Sequence, residues 1–335
     1  MTAPTDHPPI QPPRIGVLLI NLGTPDAPEP GAVRRYLAEF LTDPRVIEIP
    51  PWLWRPILHG IVLRTRPAKS AHAYRQVWTE EGSPLAAITR RQAQALQQLL
   101  GDDVVVDHAM RYGNPGIAGA IERMTAAGCS RILAVPLYPQ YCAATTASAN
   151  DALFAAVASM RRQPALRTLP PYHDDPHYID ALRESLTRQL ATLDFGPQRL
   201  LLSFHGMPQR TLELGDPYHC HCQKTARLLG DALGRPVDVA FQSRFGRAKW
   251  LQPATDATLA AYPSQGVQRI AIAAPGFSAD CLETLEELGI RGRDSFLAAG
   301  GTHFARLDCL NDSPTGMTML EQLVTRELEG WRSPT

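Results

Sequence analysis

Three landmarks occur twice in this chain, in the same order. RIGVLLINLGTP (14–25), VVVDHAMRYG (104–113) and RILAVPLYP (131–139) are followed by QRLLLSFHGMP (198–208), VDVAFQSRFG (237–246) and RIAIAAPGF (269–277). Each is a short, mostly apolar run closed by a glycine or proline turn, the pattern of a strand buried on both faces of a parallel sheet. Parallel sheets produce such runs in many proteins, but an ordered recurrence points to a duplicated unit. Helix-like segments fill the gaps, about 30–41, 84–100, 116–127 and 141–159 in the first half. The expected fold is therefore α/β, with two similar Rossmann-like domains whose parallel sheets face one cleft.

The two copies differ in length. Gly23 lies 88 residues before Arg111, whereas Gly206 lies 38 before Arg244. Most of the excess is a Trp/Arg-rich stretch after Pro50. The expected division is a loose, proline-rich arm at 1–14 that does not read as a signal peptide, a first domain at 15–170 with an added lip at about 50–85, a second domain at 171–325 and a tail at 326–335. The 335 residues suffice for two domains. Net charge is zero and no long basic run occurs, which argues against nucleic acid as a partner. No apolar run approaches the length that spans a bilayer. A cytoplasmic protein is the expectation, with its six cysteines reduced. YHCHCQK (218–224) keeps metal binding by Cys220 and Cys222, with His219 and His221, among the readings. Phosphate-loop, dinucleotide, zinc-protease and nucleophile-elbow motifs are absent from the sequence.

Strand ends carry the candidate chemistry. His205 follows LLLSF and precedes Gly206, where a turn leaves an imidazole at the sheet edge; it is either a proton acceptor or a satisfied structural histidine. Asn21, Leu22 and Thr24 hold the matching place in the first half. Arg111 and Arg244 each end a strand, either to bind an acidic ligand or to hold an internal ion pair. After RIAIAAP comes GFSADCLETLEELG, read as a helix capped by Ser278. Helical spacing puts Asp280, Glu283 and Glu287 on one stripe, with Glu286 toward water and Leu282, Leu285 and Leu288 toward the core. No Lys or Arg lies between Ala279 and Leu288. The stripe is either a solvated face or a row that relays protons or holds a cation.

Beyond these residues, LLINLGTP, RTRPAK, YRQVW, MRYGNP, PLYPQY, LSFHGMP, GDPY, QSRFG and PGFSADCLETLEEL together resemble the ferrochelatases, over Ile15 to about Pro314. The resemblance implies a chelatase-like, pseudo-duplicated fold around a porphyrin cleft. It implies insertion of Fe2+ into protoporphyrin IX to give protoheme, without ATP. Alternatives are a coproporphyrin ferrochelatase or a non-catalytic tetrapyrrole-binding protein. It makes His205 the catalytic histidine and Glu283 the catalytic carboxylate, the pair that meets the metal, with Asp280 and Glu287 on a proton or metal path. Leu22, Arg64, Tyr74, Arg111 and Tyr138 become substrate-binding positions. The apolar residue at Leu22 resembles enzymes that use protoporphyrin IX. Cys281 stands where many animal relatives have histidine, which weakens any direct ligand role there.

The resemblance has three further consequences. No cofactor beyond the substrate iron is implied. A [2Fe-2S] cluster is not expected, because Cys142 is one place off the family's position, Ala143, and Cys309 stands alone near the C-terminus. The lip is either a buried lid or an apolar edge (Trp52, Leu53, Trp54, Ile57, Leu58, Ile61, Val62) that touches the inner face of the cell membrane, with Arg55, Arg64 and Arg66 near headgroups or propionates. A monomer is expected.

Overall fold

The computed structural model describes residues 12–246 and 248–332. Most of the 1–14 arm thus lies outside the described residues; Arg14 already begins the first strand. Two four-stranded sheets, parallel throughout, form the frame. The first contains β1 (Arg14–Thr24), β2 (Val104–Gly113), β3 (Cys129–Pro136) and β4 (Ala165–Thr168), in the spatial order β2-β1-β3-β4. The second contains β5 (Arg199–His205), β6 (Asp238–Gln242), β7 (Arg269–Ala273) and β8 (His303–Arg306), in the order β6-β5-β7-β8. The orders are identical once the second set is renumbered. The repeated landmarks occupy equivalent strands, as duplication requires.

Each central strand is apolar on both faces because helices cover both. Val17 to Ile20 in β1 and Leu200 to Leu202 in β5 are wholly buried. One hydrophobic core crosses between the sheets: Val17, Leu19 and Val135 share it with Leu200, Leu202 and Phe204. The two halves thus share one continuous core. The last helix, Pro314–Glu327, bridges the halves: it packs on the helix Pro176–Ala191 of the second and on the helix Pro84–Leu100 and β3 of the first. Its buried Met317, Leu320, Leu323 and Val324 draw it there. The expected tail is also docked: Arg167 donates to the Glu327 carbonyl at 2.6 Å and stacks over Trp331, and Arg332 donates to the Leu100 carbonyl at 2.6 Å. Residues 333–335 lie outside the described residues.

The extra length of the first half is the helix Pro51–Ile57, a π-turn at Leu58–Val62 and the helix Leu63–Val77. The expected apolar edge divides in two. Trp52, Leu53, Ile57 and Ile61 point outward, with Trp52 77% exposed. Leu58 is wholly buried, and Trp54 and Val62 pack with it against Leu41 and Leu63. Trp54 also donates its indole N–H to the Leu41 carbonyl at 2.6 Å. These three anchor the lip and are not part of its outer edge.

Both strand-end arginines hold internal ion pairs. Arg244 meets both carboxylate oxygens of Asp256, at 2.7 and 2.8 Å. Arg111 pairs with Asp43 at 2.5 Å and donates to the Ser148 hydroxyl and carbonyl at 2.7 and 2.9 Å. Asp43, 6% exposed, also accepts from the hydroxyls of Tyr112 and Ser148. Burial pushes the Asp43 carboxyl up, but bonds from Ser148, the Arg45 N–H and Tyr112, with the Arg111 charge, outweigh it and hold it below its ordinary value. A lowered carboxylate stabilises the fold above its unfolded-state value, and that contribution is lost as pH falls through the folded value. Asp43→Asn leaves Arg111 buried without its counter-charge, so unfolding in denaturant should show a loss of about 3–5 kcal/mol at pH 7. The gap from the parent protein should narrow as the pH is lowered through the acid range.

Candidate active site

The carboxyl ends of β1, β3, β5 and β7 point into one cleft of about 770 Å³, where an open α/β sheet places its ligand. Its walls are mainly apolar and aromatic. Leu22 comes from the end of β1, Tyr138 follows β3, and Tyr74 reaches in from the lip. His205 ends β5, and Glu283 lies beyond β7. Five of the nine catalytic, substrate and path residues implied by the resemblance therefore share one cavity, together with Asn21 and Thr24. The other four do not line it: Arg64 is exposed on the lip, Arg111 is turned to Asp43, and Asp280 and Glu287 lie elsewhere.

His205 is held by backbone geometry. Gly206 donates its N–H to the Gln242 carbonyl at 2.7 Å. A Cβ at Gly206 would sit 2.5 Å from that same oxygen, so the glycine is required by close approach of two strands, not by a turn that needs positive φ. The His205 Nδ1 lies 2.7 Å from the Gly206 carbonyl. A carbonyl only accepts, so this contact makes Nδ1 the protonated nitrogen and leaves Nε2 with its lone pair. A neutral imidazole in this tautomer can take up a proton or bind a metal.

Glu283 is placed from the same neighbour. The Gln242 side chain, itself 2% exposed, donates from Nε2 to the Glu283 carbonyl at 3.0 Å and accepts from the Ser203 hydroxyl at 2.8 Å. Gln242 thus ties β5, β6 and the Glu283 segment together. It lies in the quoted QSRFG landmark, but no chemical signal in the sequence marks it, since its work is done by backbone partners.

The acidic segment departs from the expected helix in three ways. Its helical part begins at Glu283 and runs to Gly292 with π geometry, so Ser278 is not its cap but lines the cleft. Glu287, four residues after Glu283 in this segment, is turned to Ser243, accepting from its N–H at 2.8 Å and its hydroxyl at 2.5 Å. Asp280 precedes the helical part. It is 4% exposed and pairs with Arg306 at 2.9 Å, while accepting from Thr284 and Asn311, each at 2.7 Å. It fixes the loop before the π-segment to the strand β8 and the turn after it. Glu286 is buried, not water-facing, and accepts from the Arg291 guanidinium at 2.8 and 3.0 Å. The missing cations come from Arg291 and Arg306, outside the stretch that lacked them. Of the three leucines, only Leu288 is fully buried; Leu282 borders the cleft.

Burial keeps the phenols and the thiol of the wall neutral. Burial pushes the phenols of Tyr36 and Tyr74 well above their ordinary value, and the nearby Glu283 adds to this. Both stay hydroxyl donors at any physiological pH. Burial, then Glu283, also pushes the Cys281 thiol well up, so it is no thiolate ligand. The Tyr138 hydroxyl is buried and has no hydrogen-bond partner among the described residues. In YHCHCQK, Cys222 is buried and Cys220 exposed, and His221 stacks on His173 at 3.5 Å with its Nδ1 accepting the Tyr141 N–H. That motif's side chains diverge.

The model of the ferrochelatase family matches residues 14–328. A ferrochelatase of Rhizobium meliloti (strain 1021) is 56% identical over 99% of this chain and 100% of its own length, and one of Agrobacterium fabrum (strain C58) is 52% identical over 98% and 97%. Among solved structures, SirB from Bacillus subtilis with Fe3+ superposes with a TM-score of 0.56 at 12% identity, covering 95% of this chain and 97% of its own. CbiX, the terminal enzyme for siroheme biosynthesis in denitrifying bacteria, gives a TM-score of 0.52 at 16% identity, covering 94% and 100%. Those two likenesses show the fold alone, two parallel-sheet α/β domains of chelatase type. The family model and the full-length relatives place the chain in one family: it belongs to the ferrochelatases.

Proposed function

We propose that His205 and Glu283 perform, in this cleft, the insertion of ferrous iron into protoporphyrin IX that yields protoheme and two protons. The observation that carries the assignment is the single tie through Gln242, which positions a lone-pair imidazole and a carboxylate on one cavity. The macrocycle must bend so that its nitrogens leave the plane, two pyrrole N–H protons must depart, and iron must lose its water. Leu22, Leu282 and the Tyr36 and Tyr74 rings supply rigid walls complementary to a bent ring. His205 Nε2 takes a pyrrole proton or meets the incoming iron; Glu283 receives the other partner. Glu287, next in line along the π-segment, continues the route for what leaves. Asp280 and Arg111 act as structural clamps in this scheme.

Arg64 is exposed, and among the described residues it has no carboxylate partner, so we assign it to a substrate propionate. The Tyr138 hydroxyl offers a further donor in the cleft. Leu22 makes the wall apolar where protoporphyrin IX presents apolar edges. No cofactor is part of the scheme. Among the described residues no helix is long and apolar enough to cross a membrane. The outward set Trp52, Leu53, Ile57 and Ile61 supports contact with a membrane surface, from which an apolar porphyrin would be delivered.

Anaerobic incubation with Fe(II) and either protoporphyrin IX or coproporphyrin, followed by absorbance, should show heme formation with the first in clear preference. Faster turnover of coproporphyrin would reverse the substrate reading. His205→Ala and Glu283→Gln should each lower turnover by at least about 100-fold while porphyrin still quenches intrinsic fluorescence with near-parental affinity. Near-normal turnover in either variant removes that residue from the chemistry. Trp52→Ser combined with Ile61→Ser should reduce co-sedimentation with anionic vesicles and leave turnover in detergent intact. Undiminished co-sedimentation would rule the lip out as the contact.

A further inference from the structure

One polar side chain interrupts the buried stretch of β5. Leu200, Leu201, Leu202 and Phe204 are apolar and wholly buried, and Ser203 among them is equally buried. A hydroxyl in such a place costs stability unless it is hydrogen-bonded. The first half shows that the fold does not require it. Aligned on the glycines that close the landmarks, Gly23 with Gly206 and Gly113 with Gly246, Ile20 stands where the second half has Ser203, and Ala109 where it has Gln242. Both are wholly buried. The polar pair thus occurs only in the half that carries His205 and Glu283.

Ser203 has two partners. Its Oγ lies 2.8 Å from Gln242 Oε1 and 2.8 Å from the hydroxyl of Thr255, the first residue of the helix Thr255–Ala261 and itself buried. One fixed end sets the direction of every bond. The Glu283 carbonyl can only accept, so the Gln242 group 3.0 Å from it is the NH2. Oε1 then faces Ser203, which donates its single hydroxyl proton there, and the Thr255 hydroxyl must donate to Ser203. A buried, directed chain therefore runs from Thr255 through Ser203 and Gln242 to the backbone of Glu283, each bond polarising the next. With the amide turned over, two acceptors would meet at Glu283.

We propose that Ser203, backed by Thr255, is a positioning residue for metal insertion: it locks the Gln242 amide in the one orientation that grips Glu283. Ser203 does not line the cleft and acts only through Gln242. The inference rests on the assignment of Glu283 to the reaction, but the lock itself is read without turnover.

Two readouts test it together: steady-state kinetics, and hydrogen exchange of the Gln242 side-chain NH2 in isotope-labelled protein, its resonance assigned by its loss in Gln242→Met. Ser203→Ala should lower kcat by about tenfold, leave KM for protoporphyrin IX within about twofold and speed the NH2 exchange by at least about tenfold. Thr255→Val should move kcat and exchange the same way by less, and Thr255→Ser, which keeps the hydroxyl, should restore both. In a Glu283→Gln background, Ser203→Ala should cost no further kcat, because it acts through that residue. Should Ser203→Ala fail to fold by circular dichroism, the two Thr255 variants decide alone. The proposal is overturned if folded Ser203→Ala keeps parental kcat or parental exchange, if its loss multiplies in full with that of Glu283→Gln, or if Thr255→Ser does no better than Thr255→Val. Failure of the Glu283 assignment is separable, because Glu283→Gln would then turn over normally while the NH2 exchange still responded to Ser203→Ala.

Discussion

The 2.7 Å hydrogen bond from the Gly206 N–H to the Gln242 carbonyl is the constraint on which the site depends. It lets β5 and β6 close at their ends, and only a residue without Cβ permits that approach. One end of Gln242 therefore fixes the residue after His205, and its side-chain amide fixes the backbone of Glu283. The imidazole and the carboxylate proposed to act on one ring are set by a single intermediary. Pre-organisation of this kind is worth most where a small displacement costs rate.

The first half repeats the device with a different load. Gly23 ends β1 with positive φ, and a Cβ there would lie 1.8 Å from the Tyr112 carbonyl on β2. Residues before these glycines diverge: Leu22 stands where the second half has His205. Duplication thus supplied two equivalent strand ends. One became an apolar wall and the other a titratable group, which is what a cleft for a flat apolar ligand with reactive nitrogens requires.

Much of this was legible in the residues. Apolar runs and their glycine-proline punctuation located the strands, and their recurrence fixed the common sheet order. His205 and Glu283 were legible from their places at strand ends and in the family motifs. The failures share a cause. Asp280 and Glu286 were read by local spacing, and Arg111 was left between an acidic ligand and an ion pair, because their partners Arg306, Arg291 and Asp43 are set by tertiary packing. An α-helical period gave the wrong face because the segment has π geometry, which no local periodicity announces. Leu58 and Trp54 were read as one apolar band with Trp52, and only the helix's contact with Leu41 separates inner from outer members. Gln242 escaped because its role is to satisfy backbone groups.

The docking of Pro314–Glu327 on the first half bears on how the cleft opens. With the last helix, Trp331 and a continuous core all joining the halves, opening by swinging one domain from the other would expose a large apolar surface at once. Hinge motion is thus a costly way to admit a rigid, poorly soluble disc. Movement is left to the pieces outside that shared core: the lip, and the loop at Phe245, whose ring the lip's Arg66 covers at 4.9 Å. The shared core makes the cleft a fixed frame and not a pair of closing hands.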